Sequence, residues 1–292
     1  MLETGGWADY RLLDSGDGEK LERFGKLTIV RPEAQAMWSR RRPAAEWDGA
    51  TARFVGIGDD EADGRWRYRE SPGETWPIEC DGITFLGRFT RFRHVGVFPE
   101  QVTHWRWMTE QIERAGAANA PPLKVLNLFA YTGIASLMAA RGGAEVTHID
   151  ASKKAIGWAR ENQARSGLEA LKVRWICDDA VKFVRREERR GNRYDGIILD
   201  PPKFGRGPKG EVWDIFTDLK PLLAACRGLM SARPAFLILT AYSIRASFLS
   251  IDELVAECLD GLGGLLESGE LVLREEGGGR ALSTSLFSRW SA

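Results

Sequence analysis

The sequence predicts an α/β protein: a mostly parallel sheet with helices on both faces, a final antiparallel strand, and a small β-rich module in front. Three observations carry this. From Leu123 onward, strand-length apolar runs alternate with helical patterns, the pattern of parallel strands joined by crossover helices. The closing stretch GELVLREEGGGRALSTSLFSRW holds two apolar runs around Gly277-Gly278-Gly279, so a hairpin turns the last strand antiparallel. Residues 1–90 instead show short alternating runs, such as Lys26 to Val30, Arg65 to Arg69 and Ile83 to Leu86. Turn signals lie between them at Ser15-Gly16-Asp17-Gly18, Asp48-Gly49, Asp63-Gly64 and Pro72-Gly73.

The elements follow in order. A helix begins at Thr103 with Trp105, Met108 and Ile112 on one face, and residues 115–122, AGAANAPP, read as a linker. Lys124 to Leu128 is a strand, Ile134 to Ala140 a helix ended by Gly142-Gly143, and Val146 to Ile149 a strand. Ser152 caps the next helix, which turns Ala155, Ile156 and Ala159 inward and closes at Gly167. A strand Val173 to Ile176, a helix Ala180 to Arg189 and a strand Gly196 to Leu199 come next. A helix from Trp213 to Met230, a strand Ala235 to Leu239 and a helix from Asp252 complete the alternation. The chain thus divides into a β-rich domain at 1–90, a connecting segment and helix at 91–122, and an α/β domain at 123–292.

Composition excludes several classes. Of 292 residues, 43% are hydrophobic and 28% charged, and 41 basic residues balance 41 acidic ones, so a basic face has to be local. The N-terminus has no signal-peptide pattern, and the most apolar stretch, Val125 to Ala140, is broken by Asn127, Thr132 and Ser136. Cys80, Cys177, Cys226 and Cys258 lie far apart without CxxC spacing, as reduced cytoplasmic thiols do. His94, His104 and His148 show no ligand spacing, and no metal is expected. Oligomeric state is left open.

In an open parallel sheet, ligands bind beyond the carboxyl ends of the strands, where strand order reverses. Three strand ends here are polar: the run into NLFAYTG (127–133), Asp150 and Asp200, with Asp179 a further strand-end acid. Gly133 before a helix lets backbone approach a ligand, and an acid ending the next strand suits ribose hydroxyls. The G-x-G-x-x-G fingerprint is absent, which disfavours a dehydrogenase and a pyrophosphate at the helix N-terminus. A cofactor with a nucleoside and no phosphate fits, and S-adenosylmethionine is one.

The segments VLNLFAYTG, HIDASKKAIGWARENQ, CDDAVKF and LDPPKF, in this order, resemble successive motifs of class I methyltransferases. The resemblance runs from about His94 to Trp290 and is strongest to the bacterial 23S ribosomal RNA cytosine-C5 and guanine methyltransferase group. It implies a Rossmann-like fold with a seven-stranded, mostly parallel sheet and S-adenosylmethionine as cofactor. It also implies roles. Asn127, Phe129, Tyr131, Thr132 and Gly133 would lie beside the methionine moiety. Asp150, with Ala151 and Ser152, would hold the ribose. Asp179 would take the adenine amino group, with Asp178 as runner-up and Ala180 beside it. Gln101, in VGVFPEQ, would fold over the cofactor from outside the core.

LDPPKF resembles the segment that aligns a nucleophile in enzymes methylating amino or ring nitrogens. Asp200, itself beside the cofactor, and the Pro201 carbonyl would accept hydrogen bonds from the base, and Phe204 would stack on it. Lys203 reads equally as a phosphate contact or a solvated charge. The segment GRFTRFRH, with Arg88, Arg91 and Arg93 between Phe89 and Phe92, suits phosphate contact plus stacking. Arg40-Arg41-Arg42, Arg206 and Lys209 add positive charge, whereas RREERRGNR (185–193) reads as a solvated helix end.

One departure matters. Methylating cytosine at C5 needs a nucleophile to add at C6, normally a cysteine thiolate. The cytosine-C5 relatives carry it in the loop after the strand that reads FLILT here, where Tyr242 stands in the cysteine's place. A phenol is a poor substitute near neutral pH. The leading expectation is therefore a cytoplasmic methyltransferase acting at nitrogen on a base of ribosomal RNA. Methylation of a small molecule or protein, and a non-catalytic cofactor- or RNA-binding protein, are the alternatives.

Overall fold

A computed structural model of the chain describes residues 1–57, 60–116, 121–242, 244 and 246–292. Two compact units form. One comprises Glu3–Gln101 with Val272–Thr284, the other Met1–Leu2, Val102–Leu271 and Ser285–Ala292. This differs from a simple division at 90 and 122. The helix from Val102 packs on the α/β sheet, where the Trp107 ring meets Phe236 edge-on at 6.1 Å. The tip of the closing hairpin belongs instead to the N-terminal unit. There Glu275 accepts from the Ser15 N–H (3.0 Å) and hydroxyl (2.6 Å). The expected linker at 115–122 falls largely on 117–120, outside the described residues.

After β1 (Leu2–Thr4), the N-terminal unit holds β2 (Tyr10–Gly16), β3 (Glu19–Phe24), β4 (Leu27–Pro32), α1 (Ala44–Asp48), β5 (Ala52–Ile57) and β6 (Asp60–Tyr68). Strands β2 to β6 form one five-stranded sheet in sequence order, with β7 (Trp76–Cys80) and β8 (Ile83–Gly87) as a separate hairpin. Asp17-Gly18 makes the β2–β3 turn with both residues at positive φ, as two-residue hairpin turns require. Asp81-Gly82 does the same between β7 and β8, a turn the sequence reading passed over. Asp63-Gly64 is not a turn but part of β6. A Cβ on Gly64 would stand 2.4 Å from the Val55 carbonyl oxygen, so close strand approach explains that glycine.

Two buried carboxylates organise this unit. Asp14, 1% exposed, accepts from the backbone N–H of Arg41 and Arg42, from Trp47 Nε1 and from Arg280. Arg40 pairs with Glu19 over the Trp47 ring, and Arg42 with Glu46 and Glu276. Two charges of the arginine triplet are therefore paired, and that of Arg41 stays exposed. Glu22, fully buried, takes a two-pronged pair from Arg31 (2.7 and 2.8 Å) and the Tyr10 hydroxyl (2.9 Å). Burial pushes its carboxyl up, but Arg31 and Lys20 outweigh that and hold it below the usual range.

The α/β unit continues with α2 (Val102–Ala115), then β9 (Lys124–Leu128), α3 (Ile134–Arg141), β10 (Glu145–Asp150), α4 (Lys153–Arg165), β11 (Val173–Cys177), α5 (Ala180–Arg189) and β12 (Gly196–Leu199). A short hairpin follows, β13 (Phe204–Arg206) and β14 (Val212–Asp214), then α6 (Ile215–Leu229), β15 (Phe236–Tyr242) and α7 (Phe248–Cys258). Strands β16 (Leu265–Arg274) and β17 (Ala281–Ser291) close the chain. The sheet order is β1-β16-β17-β15-β12-β9-β10-β11. It has eight strands rather than seven because β1 adds at the edge. Strands β15, β12, β9, β10 and β11 are parallel, and β17 inserts antiparallel beside β15. Strand order reverses between β9 and β12. Leu128 and Leu199 end β9 and β12 in register with Ile149 of β10, and all three are fully buried in one core with Phe183, Leu223 and Leu237.

Three local readings change. Trp213 lies in β14 rather than in the following helix, which starts at Ile215 with Asp214 as its cap. The last helix starts at Phe248, capped by Ser247, not at Asp252. Segment 185–193 is the largely exposed end of α5 except at Glu187, which is fully buried and accepts from Asn192 (2.7 Å) and the Tyr194 hydroxyl (2.9 Å). Among the described residues no helix is long and apolar enough to cross a membrane.

Removing one partner of a buried ion pair strands the other charge. Arg31→Met is expected to destabilise the N-terminal unit by about 3–5 kcal/mol, read by denaturant melts. Because the Glu22 carboxyl is held low in the folded state, the pair's contribution is present above the ordinary glutamate value. It is lost as pH falls through the lowered one. The wild-type stability should thus fall more steeply in acid than that of Arg31→Met with Glu22→Leu. Equal slopes would remove Glu22 from the acid response.

Candidate active site at the carboxyl ends of the parallel strands

The loop after β9 is held in a conformation that its residues do not favour. Phe129 (φ 56°) and Tyr131 (φ 49°) both occupy the left-handed region, unusual for aromatic side chains. Four contacts fix it. The Ala130 N–H donates to the Ile149 carbonyl (3.0 Å), and the Tyr131 N–H donates to Asp150 Oδ2 (2.8 Å). Asn162 Nδ2, from α4, donates to the Thr132 carbonyl (2.9 Å), and the Gly133 N–H to the Ala130 carbonyl (3.1 Å). Gly133 (φ 81°) has no room for a side chain, since a Cβ would lie 2.8 Å from Ala159 Cβ. It also leaves α3 without a side-chain cap.

Asp150 ends β10 half-buried, its second oxygen accepting from the Ser152 N–H (2.8 Å). Burial raises its pKa, while the Ser152 and Tyr131 N–H groups act against that rise. Each oxygen accepts one backbone bond and retains further lone-pair capacity, enough for two hydroxyls. Ala151 follows half-buried, and Ser152 caps α4 through Ala155 N–H (3.2 Å).

At the end of β11 the two acids separate in role. Asp178 spends one oxygen on Arg186 (2.7 Å) and the other on the Asp179 N–H (2.9 Å). Asp179 caps α5 through one oxygen, to the Lys182 N–H (2.9 Å), and keeps the second. Ala180 is buried beneath it.

Across the reversal point stands the turn after β12. Asp200 is half-buried, its N–H 3.4 Å from the Leu128 carbonyl, and Pro201 is buried. The Pro202 carbonyl accepts from Trp213 Nε1 (2.7 Å). Lys203 is exposed, and Phe204 is 58% exposed rather than core. Pairing of β13 with β14 sets Gly205 opposite Trp213 on one face, and Arg206 opposite Val212 on the other with Phe204. The inner face is anchored by Trp213, which packs on the Phe129 ring at 4.9 Å. The outer face presents Phe204, Arg206 and Val212 to solvent. Glu211 ties the hairpin to α5 through Lys182. Tyr242 ends β15 half-buried, opposite Ser285; Ser243 lies outside the described residues.

Loop 127–133, Asp150 to Ser152, Asp178 to Ala180, Asp200 to Phe204 and Tyr242 therefore end the same parallel strands in one unit. Asn127 is an exception within it. Its side chain, 2% exposed, donates to Ser136 Oγ (2.9 Å), which in turn meets His148 Nδ1 (2.9 Å). Burial pushes His148 down to about 3, so it stays neutral. What Asn127 offers the site is its backbone. Gln101, Arg88, Arg91 and Arg93 belong to the N-terminal unit, where Gln101 ends the 3-10 turn Pro99–Gln101. Arg93 is half-buried with Nη1 3.4 Å from the Pro32 carbonyl, and Arg88 is half-buried. Phe89 is packed among Trp66, Tyr68 and Trp76, so only Arg91 and Phe92 of that segment are exposed. Trp213 and Asn162 were missed as site residues. Asn162 sat inside a quoted motif, but nothing in sequence marks an asparagine as a carbonyl clamp.

Residues 42–233 match the family model of S-adenosylmethionine-dependent methyltransferases. A crystal structure of an S-adenosylmethionine-dependent methyltransferase from Agrobacterium tumefaciens is 57% identical, with a TM-score of 0.94 over 99% of this chain and 92% of that one. Ribosomal RNA large subunit methyltransferase I of Aeromonas salmonicida is 32% identical over 162 residues, 55% of this chain and 36% of the relative. Ribosomal RNA large subunit methyltransferase K/L of Shewanella frigidimarina is 41% identical over 109 residues, 37% of this chain and 15% of the relative. The chain thus spans about a third of the first curated relative's length and less of the second's. With half the chain or more under the family model and the strand-end site in place, this chain belongs to the S-adenosylmethionine-dependent methyltransferases.

Proposed function

We propose that this protein methylates a nitrogen of an RNA base, with ribosomal RNA as the substrate class and the cytoplasm as its place of work. The observation that carries this is the turn Asp200–Phe204. A half-buried carboxylate stands at the strand-order reversal, and four residues on a ring is left 58% exposed. The names of the curated relatives support an RNA substrate.

The residues present suit the cofactor. Gly133 opens backbone beside the uncapped start of α3, Asp150 has acceptor capacity for ribose hydroxyls, and Asp179 keeps one oxygen for an amino group. When bound, S-adenosylmethionine supplies an electrophilic methyl group on its sulfonium. The protein's work is then alignment. Trp213 occupies the Pro202 carbonyl; the Pro201 carbonyl and Asp200 accept N–H groups of the base. Those hydrogen bonds point the nitrogen's lone pair at the methyl carbon. Phe204 stacks on the base, worth about 1–3 kcal/mol, and Lys203 beside it meets a flanking phosphate.

Chemistry at nitrogen is favoured by the cysteines. None lies in Asp200–Phe204 or at Tyr242, and burial raises the thiols of Cys226 and Cys258 above their ordinary range. Neither is a ready thiolate.

Asp150→Ala should weaken S-adenosylmethionine binding by about 1.5–3 kcal/mol, measured by calorimetry; unchanged affinity in a folded variant would remove the ribose role. Asp200→Ala should leave that affinity nearly intact while methyl transfer drops by about two orders of magnitude, the size of effect lost with a positioning contact. Equal loss of binding and turnover would make Asp200 a cofactor residue.

Transfer of labelled methyl to total RNA from a strain lacking the gene, followed by nucleoside mass spectrometry, tests the whole reading. The expected product is an N-methylated base, formed equally by a variant without cysteines and without a covalent adduct on 5-fluorocytidine RNA. Recovery of 5-methylcytidine would overturn the nitrogen assignment, and absence of label in RNA would overturn the substrate class.

A further inference from the structure

Strand β6 is the outer edge of the five-stranded sheet, and its second half runs into the sequence Arg65-Trp66-Arg67-Tyr68-Arg69. Alternate residues of a strand face the same way, about 6.7 Å apart, so Arg65 and Arg67 share one face; Arg69 follows directly after the strand, and all three are exposed. Trp66 faces the other way, 8% exposed, against Phe54 and Phe89. Arg67 stands directly opposite Arg53 of β5, and like charges in that position destabilise a sheet. Arg53 is relieved by Glu19 (2.6 Å). No carboxylate among the described residues pairs with Arg65 or Arg67, and Arg69 reaches only the Gly49 carbonyl (3.4 Å).

A second segment adjoins this face. The Gly64 N–H donates to the Arg91 carbonyl (3.1 Å), and Trp66 Nε1 to the Phe92 carbonyl (3.2 Å). Arg91 lies over the Phe92 ring at 4.7 Å. Phe92 is 42% and Tyr68 48% exposed. The acids of residues 59–63 precede the arginines in sequence, which confines the basic character to Arg65–Arg69.

We propose that Arg65, Arg67 and Arg69, with Arg91 and Phe92, form a binding surface for the phosphate backbone of RNA. It rests on the reading of the substrate as RNA. A row of unpaired guanidinium groups fits a polyanion, and half-exposed rings beside it fit unstacked bases. An anionic lipid surface would favour protruding apolar side chains; here the rings are partly packed and present no wedge. Charged edge strands also deter edge-to-edge pairing, but either sign serves that purpose. The proposal moves backbone contact away from Arg88 and Arg93, which the unit holds half-buried.

The test uses the full chain and a single-stranded fragment of large-subunit ribosomal RNA, with anisotropy measured across a salt series. In Arg65→Gln/Arg67→Gln/Arg69→Gln, the slope of log affinity against log salt should shrink by about 2, at about 0.7 per lost contact. The triple lysine variant should keep most of that slope, and S-adenosylmethionine affinity should not change. If the triple glutamine variant fails to fold, Arg67→Gln alone should remove about 0.7. A folded glutamine variant with an unchanged slope overturns the surface, as does a change confined to self-association or to phosphatidylserine vesicle binding. Asp200→Ala should keep the wild-type slope while losing transfer. Failure of the wild type to methylate any RNA would instead overturn the functional reading, while the slopes still judge the surface.

Discussion

The site depends on one hydrogen bond, from the Tyr131 N–H to the Asp150 carboxylate. Two aromatic residues in the left-handed region cost about 1–2 kcal/mol each, and loop 129–131 would relax without that bond and its Ala130 neighbour. Asp150 is desolvated enough for its pKa to rise, so backbone donors are what make it a usable acceptor. The strain has a return. With the backbone turned this way, the Phe129 ring leaves the core strand and meets Trp213, whose indole holds the Pro202 carbonyl. The loop after β9 and the turn after β12 are thus linked through two rings and one hydrogen bond. This is strain of the kind that collects at functional sites.

The hairpin β13–β14 shows how three-residue strands can serve such a site. Alternation lets one side chain, Trp213, anchor the inner face while Phe204, Arg206 and Val212 remain outside. Neither strand has enough residues to be stable alone. Trp213 burial, the Asp214 cap and the Glu211–Lys182 pair hold the hairpin in place.

What was legible in the sequence follows period and punctuation. Strand–helix alternation from Leu123, the Ser152 cap, the Gly133 turn and the strand-end acids all rest on local patterns, and all appear in the structure. The hairpin did not, because three-residue strands carry no period and Trp213 reads as the first turn of the amphipathic helix behind it. Asp63-Gly64 looked like a turn because that dipeptide usually is one; the glycine answers instead to a carbonyl on the neighbouring strand. Arg88 and Arg93 could not be told from exposed arginines, since burial in a loop depends on partners far away in sequence, such as Pro32. Asp178 and Asp179 are told apart only through Arg186, about two helical turns away, which claims the first.

The N-terminal unit is begun by the chain's first hundred residues and finished by residues 272–284. Asp14 and Ser15 receive Arg280 and Glu275 only when those residues exist. During synthesis, then, a carboxylate destined for full burial waits without its cation until Arg280, 266 residues later, has left the ribosome. The entropic cost of closing a loop of that length grows only logarithmically, but the delay is set by translation and not by diffusion. A nascent chain halted between the two segments would carry the unit open.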